Sequence, residues 1–249
     1  DAYARSSGEL GVLVTSTGPG AANAVPALVE AQFAGTPMLH LTGQTATSDI
    51  DQQRGPVHDV PGQTAMLKAV SKDAFRVRSA ETALGTLLKA ATLALTAPMG
   101  PVSVEIPIDI QRTAIPRPET LDHLVRPAPA PIEPDGGSVA ALADRLRTAK
   151  RPMLWVGNGA KFAEPAIRRL MALGVPVITS WNGRGAVPED ESMSLGATLQ
   201  LPETQTVLGT VDLLIVAGCR LRGHETGDLS IPLPEPRVQI DVDPAANGR

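Results

Sequence analysis

The residues best placed to do chemistry begin with Thr15-Ser16-Thr17-Gly18-Pro19-Gly20-Ala21-Ala22-Asn23, set between an apolar run at 10–14 and a stretch with helical character. Gly18 and Gly20 carry no Cβ and let bare main chain approach a ligand, while Pro19 fixes φ between them. Asn23 falls in the first helical turn, where unpaired N–H groups collect and where its amide can face the contents of the bend. On spacing alone this is a strand-to-helix turn that either receives a ligand or simply needs glycine. Gln44 ends the run Met38-Leu39-His40-Leu41-Thr42-Gly43-Gln44. Open α/β sheets take ligands at the carboxyl ends of their strands, so this carboxamide can donate to a developing alkoxide or carbonyl oxygen without changing charge, or cap a loop. His58 lies in a glycine- and proline-bearing loop, 49–63. As a residue type it is an acid or base near neutral pH, and the alternative is a solvated loop histidine. His40, between Leu39 and Leu41, reads as an interior residue with satisfied hydrogen bonds.

Farther on, Val156-Gly157-Asn158-Gly159-Ala160-Lys161-Phe162 follows an apolar run and precedes a helical one, the setting of a dinucleotide turn. Phe162 occupies the place of the third glycine, and no acidic residue ends a second strand at the usual distance, so a Rossmann dehydrogenase is a poor reading. Cys219 has an apolar setting and reads as a small buried hydrophobe rather than a nucleophile.

The elements that must carry these residues alternate in type. Strand-like runs at 12–14, 38–41 and 102–106 are separated by helical stretches at 21–33 and 81–95, the pattern of βαβ units around a mostly parallel sheet. Pro26 conflicts with the first of those helices, because proline removes a backbone donor and should kink it. The opening residues, 1–8, read as the end of a helix closed by Gly8. Between 116 and 134 the chain carries six prolines (116, 118, 127, 129, 131 and 134) and few large apolar residues, the composition of a semi-rigid linker. Alternation then resumes, with helices at 139–148 and 163–173 and strands at 153–156, 175–179, 213–217 and 238–242. The fold class is α/β: two doubly wound domains, 1–112 and 136–249, joined by a linker at 113–135.

Composition narrows the function. The 249 residues are 43% hydrophobic and 19% charged, ordinary for two globular domains. Net charge is −4, and the 22 basic residues form no stripe able to track phosphates, which argues against a nucleic-acid partner. A single cysteine excludes an internal disulfide, and no apolar stretch approaches the roughly 20 residues needed to span a bilayer. A cytoplasmic location follows as the default expectation. With no initiating methionine, the chain reads as a fragment of a longer enzyme.

The glycine bend, together with Pro37 to Gln44, Ala65 to Lys72 and Ala97 to Pro107 in that order and spacing, resembles the pyrimidine-binding domain of thiamine-diphosphate enzymes of the acetolactate synthase family. The part beyond residue 135 resembles the same family's central domain. The resemblance implies that Gly18, Pro19, Gly20 and Asn23 contact the aminopyrimidine of thiamine diphosphate, and that Gln44 and His58 face the substrate. It implies an activating glutamate on a helix upstream of Asp1, and a diphosphate- and magnesium-binding motif in a third domain; no metal site is expected within this chain. Val57-His58-Asp59-Val60 departs from the acetolactate synthase form of the loop that reaches toward substrate. In the central domain the family can hold a structural FAD; Gly157, Gly159, Arg220 and Asp241 are the matching candidates. Here His224 replaces an expected second arginine, Gly196-Ala197-Thr198 replaces a Gly-Met-His-Gly element, and Ala246 replaces an acidic residue. The activity implied for the intact protein is decarboxylation of a 2-keto acid such as pyruvate with transfer of the hydroxyalkyl group, as in branched-chain amino acid biosynthesis, by a homodimer or homotetramer. Alternatives are another enzyme of the same cofactor (2-keto acid decarboxylase, C–C lyase or acyltransferase) or a non-catalytic nucleotide-binding or interaction module.

Overall fold

The computed structural model of the chain describes residues 1–52, 54, 57–116 and 131–246. It divides into two compact units, Asp1–Pro131 and Ile132–Arg249. His123 and the prolines at 118, 127 and 129 lie outside the described residues.

The first unit runs α1 (Ala2–Ser7), β1 (Gly11–Thr15), α2 (Pro19–Ala34), β2 (Met38–Gln44), α3 (Gln63–Val70), β3 (Asp73–Arg76), α4 (Ala80–Leu95), β4 (Pro101–Pro107) and α5 (Ile108–Arg112). Its sheet has the order β1-β2-β4-β3 with every pair parallel. Gly8 closes α1 with φ 73°, a left-handed cap. Gly18 caps the start of α2 with Pro19 at the first helical position, where proline's missing N–H costs nothing. The buried face of α2 is Ala21, Ala24, Leu28 and Ala31, a helical stripe of small residues that lets the helix sit close to the sheet. Pro26 is on the exposed side, and the helix continues through it to Ala34.

Two apolar clusters sandwich this sheet. One joins Ala90, Ala91 and Ala94 of α4 to Leu39, Val102 and Val104. The other joins α2 and α3 through Ala21, Leu28 and Leu67. Because side chains alternate across a strand, β2 turns Leu39 and Leu41 toward α4 and His40, Thr42 and Gln44 toward α2 and α3.

The second unit runs α6 (Gly136–Thr148), β5 (Pro152–Val156), α7 (Glu164–Ala172), β6 (Val177–Thr179), β7 (Ser194–Gly196), α8 (Pro202–Leu208), β8 (Leu213–Ala217) and β9 (Arg237–Ile240). Asp135 starts α6 by accepting from the Ser138 N–H at 2.7 Å. The sheet order is β7-β6-β5-β8-β9, again all parallel. Both faces are apolar: Trp155, Ile178, Leu214 and Val216 on one, Leu154, Val156, Val177 and Ile215 on the other. The chain therefore has two parallel α/β units, the fold class expected from its alternating pattern.

Candidate functional site

In the first unit, the carboxyl ends of β1, β2 and β4 surround a cavity of about 610 Å³, walled by residues that include Thr15, Thr17, Leu41, Gln44, Ile106 and Gln111. The glycine bend stands at its margin, between β1 and α2. Gly18 holds φ 60°, ψ −112°, a conformation open to glycine, and a Cβ there would lie 2.3 Å from the His58 carbonyl oxygen. At Gly20 a Cβ would lie 2.3 Å from the Ser16 hydroxyl. The inner side of the bend is thus filled by His58 and Ser16, and its outer side is open: Pro19 and Asn23, one helical turn apart, are both exposed. Among the described residues the Asn23 amide has no hydrogen-bond partner.

Beneath the bend lies a buried polar assembly. Glu105 has no solvent exposure. One of its oxygens accepts from Gln63 Nε2 at 2.9 Å and Gln44 Nε2 at 3.4 Å, and the other from Arg76 Nε at 2.9 Å and from the Thr64 hydroxyl. Four donors, one of them the Arg76 guanidinium, make a fully buried carboxylate tolerable. They also occupy its lone pairs, so Glu105 has no capacity left for a ligand's ring nitrogen. Gln63 Oε1 accepts the Gly18 N–H at 2.7 Å, and Gln63 Nε2 donates to the Gly43 carbonyl at 3.1 Å. Gln44 Oε1 accepts from the Thr45 N–H at 2.7 Å, which leaves one amide hydrogen on its Nε2 for the cavity.

A second chain of hydrogen bonds crosses the sheet one row below. Thr42 donates to the Ser16 carbonyl at 2.9 Å, Thr15 donates to Thr42 at 3.0 Å, and His40 Nε2 lies 2.9 Å from the Thr15 hydroxyl. With the Thr15 hydrogen spent, His40 must donate through Nε2 and accept through Nδ1 from Ser103, 3.1 Å away. Burial pushes the His40 pKa down to about 4, so the ring is neutral.

The structure gathers Gly18, Gly20, His58 and Gln44 around one end of one sheet, and it keeps His58 exposed. Gln63 and Glu105, absent from the sequence reading, bind this group together. Glu105 was legible as the one charge inside a mostly apolar run, since carboxylates are almost never fully buried without partners.

In the second unit the glycine turn has a packing reason. A Cβ on Gly157 would lie 2.2 Å from the Gly218 carbonyl, and one on Gly159 would lie 2.9 Å from Gly218 Cα. Gly157 N donates to the Ala217 carbonyl and Gly159 N to the Gly218 carbonyl, at 2.8 and 3.0 Å. Neither amide is free to cradle a phosphate. Asp241 accepts from the Asp243 N–H at 2.9 Å in a local turn, and Arg220 is half-buried. Cys219 is buried, with its thiol pKa raised by desolvation and by Glu225, which suits an inert core residue.

The description "Thiamine pyrophosphate enzyme, N-terminal TPP binding domain" matches residues 1–70, and "Thiamine pyrophosphate enzyme, central domain" matches residues 139–249. The chain belongs to the thiamine pyrophosphate enzyme family. It is 31% identical to a probable acetolactate synthase large subunit of Methanocaldococcus jannaschii over all of this chain and 43% of that protein. To the acetolactate synthase large subunit of Haemophilus influenzae it is 32% identical over 99% of the chain and 44% of that protein. To a probable 2-ketoarginine decarboxylase of Pseudomonas aeruginosa it is 28% identical over 98% and 44%. The chain therefore spans less than half the length of these curated relatives. Its matches within that family are to the N-terminal TPP binding domain and the central domain. Among the described residues no helix is long and apolar enough to cross a membrane, and no cluster of three or more His, Cys, Asp or Glu could hold a metal ion.

Proposed function

We propose that this chain forms the pyrimidine-binding half-site and the central domain of a thiamine-diphosphate-dependent 2-keto acid decarboxylating carboligase of the acetolactate synthase type. The observation that carries the reading is the glycine bend at the carboxyl edge of a parallel sheet, with Pro19 and Asn23 exposed on its outer side and Gln44 in the adjoining cavity. An unpartnered amide can both donate to and accept from the edge of an aminopyrimidine, so these residues fit that half of the cofactor. Bound thiamine diphosphate supplies a carbanion-stabilising thiazolium; the protein supplies orientation and electrostatics. In this reading Asn23 and Pro19 orient the ring, and the free Nε2 hydrogen of Gln44 is available to a substrate oxygen. The apolar wall of Leu41 and Ile106 excludes water. Magnesium, the activating glutamate and the diphosphate grip belong to the remainder of the intact protein, a cytoplasmic homodimer or homotetramer in which one subunit's bend faces another's diphosphate domain. In the second unit Gly157 and Gly159 spend their amides on backbone, so the glycine turn itself offers a flavin no phosphate cradle.

A decarboxylase that ends in proton transfer is the second reading. It is favoured by the similarity to a probable 2-ketoarginine decarboxylase and by the exposed His58 beside the bend. Incubating the intact protein with thiamine diphosphate, magnesium and pyruvate decides between them: acetolactate supports the first, aldehyde the second, and no saturable cofactor binding overturns both. Asn23→Ala is expected to leave stability within about 0.5 kcal/mol, as an exposed site should, while weakening cofactor binding by about 2- to 10-fold. Unchanged affinity in that variant would remove Asn23 from the site.

A further inference from the structure

We propose that Gln63 is a positioning residue that holds the glycine bend and Gln44 in one frame through Glu105; this rests on the reading of the site given above. Gln63 is the first residue of α3 and is 1% exposed. Its carboxamide uses its whole hydrogen-bonding capacity: Oε1 accepts from Gly18 N at 2.7 Å and from the Thr17 hydroxyl at 3.3 Å, and Nε2 donates to the Gly43 carbonyl at 3.1 Å and to Glu105 at 2.9 Å. Gly18 is the hinge of the bend, Gly43 immediately precedes Gln44, and the Glu105 oxygen that accepts from Gln63 also accepts from Gln44.

The chemistry at position 63 is specific. Gly18 N offers only a donor and the Gly43 carbonyl only an acceptor, so the amide cannot flip. A glutamate would lose both donations and set a second carboxylate against Glu105; an apolar residue would orphan a buried N–H and a buried carbonyl at once. A helix needing only a start could use almost any residue there. What the carboxamide adds is a fixed relation between main chain placed to grip a cofactor and an amide placed to face a substrate, joined through one buried carboxylate that accepts directly from both amides.

The test uses Gln63→Met, which keeps length and bulk, in the intact protein, with Gln44→Ala and the double variant alongside. Hydrogen exchange resolved at Gly18 should accelerate by about tenfold in Gln63→Met, the consequence of one lost hydrogen bond, while Val104 in the sheet centre stays protected. The dissociation constant for thiamine diphosphate, read by calorimetry, should rise by about tenfold. Gln63→Met added to Gln44→Ala should lower kcat no further than Gln44→Ala alone, because the two act through one carboxylate. Gly18 exchange at the wild-type rate, or kcat losses that multiply, would overturn the proposal, as would a drop in melting temperature with cofactor affinity and kcat unchanged. Should Gln63→Met fail to fold, exchange of the Gln63 side-chain amide in the wild-type protein decides: protection comparable to that of Gly18 N–H supports the proposal, and free exchange overturns it. If wild-type protein binds no thiamine diphosphate while Gly18 still responds, the functional reading fails and the positioning role stands.

Discussion

Acidification provides a sharp test of the buried polar layer. His40 has no solvent exposure and its pKa is depressed from an ordinary 6.5 to about 4, chiefly because burial disfavours the charged ring. The unfolded chain binds this proton near pH 6.5 and the folded one only near pH 4, so stability falls as pH drops across that window. Above it the full contribution is present; below it the group has no further effect. A displacement of roughly two and a half pH units corresponds to about 3 kcal/mol at 1.36 kcal/mol per unit. That is a large share of a typical domain's stability. The assay is urea unfolding of the wild-type protein and His40→Gln at several pH values between 7 and 4, followed by far-UV circular dichroism. Glutamine can still bridge Thr15 and Ser103 but does not titrate. Both tryptophans, Trp155 and Trp181, belong to the second unit, so their fluorescence separates its unfolding from that of the sheet carrying His40. The variant's profile should be flatter than the wild type's by about 3 kcal/mol across the window. Parallel profiles for the two proteins would refute the neutral, desolvated histidine and the hydrogen-bond order inferred from it.

Two glycine substitutions probe the two units separately. Gly18→Ala combines a positive φ with a Cβ 2.3 Å from the His58 carbonyl oxygen, so it should destabilise the first unit by about 2 kcal/mol or more, read as a lower urea midpoint by circular dichroism. A loss under about 0.5 kcal/mol would show that the bend does not hold this conformation in solution. Gly157→Ala drives a Cβ to 2.2 Å from one backbone atom, the Gly218 carbonyl oxygen, and 2.5 Å from another, Cys219 Cα; tryptophan fluorescence should report a loss of about 2 kcal/mol or more in the second unit.

The fold was legible because both sheets are parallel and their central strands are buried on both faces, so strands such as Leu213–Ala217 read as nearly unbroken apolar runs. What escaped were short or amphipathic elements: β3 has four residues, Asp73–Arg76, too few for a period to show, and α3 starts inside a loop rich in turn residues. β7, with three residues, escaped for the same reason. Of the candidate site, the glycine bend and Gln44 stood out because a special backbone need and a strand-end position leave local marks. Gln63 did not, since its role exists only through partners 20, 42 and 45 residues away in sequence. Helix α2 shows the opposite case: Pro26 reads as a break, yet it faces outward and interrupts no packing, so the tertiary stripe of Ala24 and Leu28 prevails.

The strand Met38–Gln44 explains why two polar assemblies sit under a single bend. Every second residue on one face, His40, Thr42 and Gln44, is polar, in a place where valine or leucine would pack more cheaply. Buried polar networks seldom add net stability over an apolar equivalent, so their effect must be sought in geometry. Here both assemblies end on the main chain of the bend: the His40 chain on the Ser16 carbonyl, and the Gln63 carboxamide on the Gly18 N–H. An apolar floor would support the bend without registering it. Hydrogen bonds to a carbonyl and to an amide two residues apart fix its height and rotation over the sheet, which is what a half-site must have fixed if the other half of its ligand is held by a different chain.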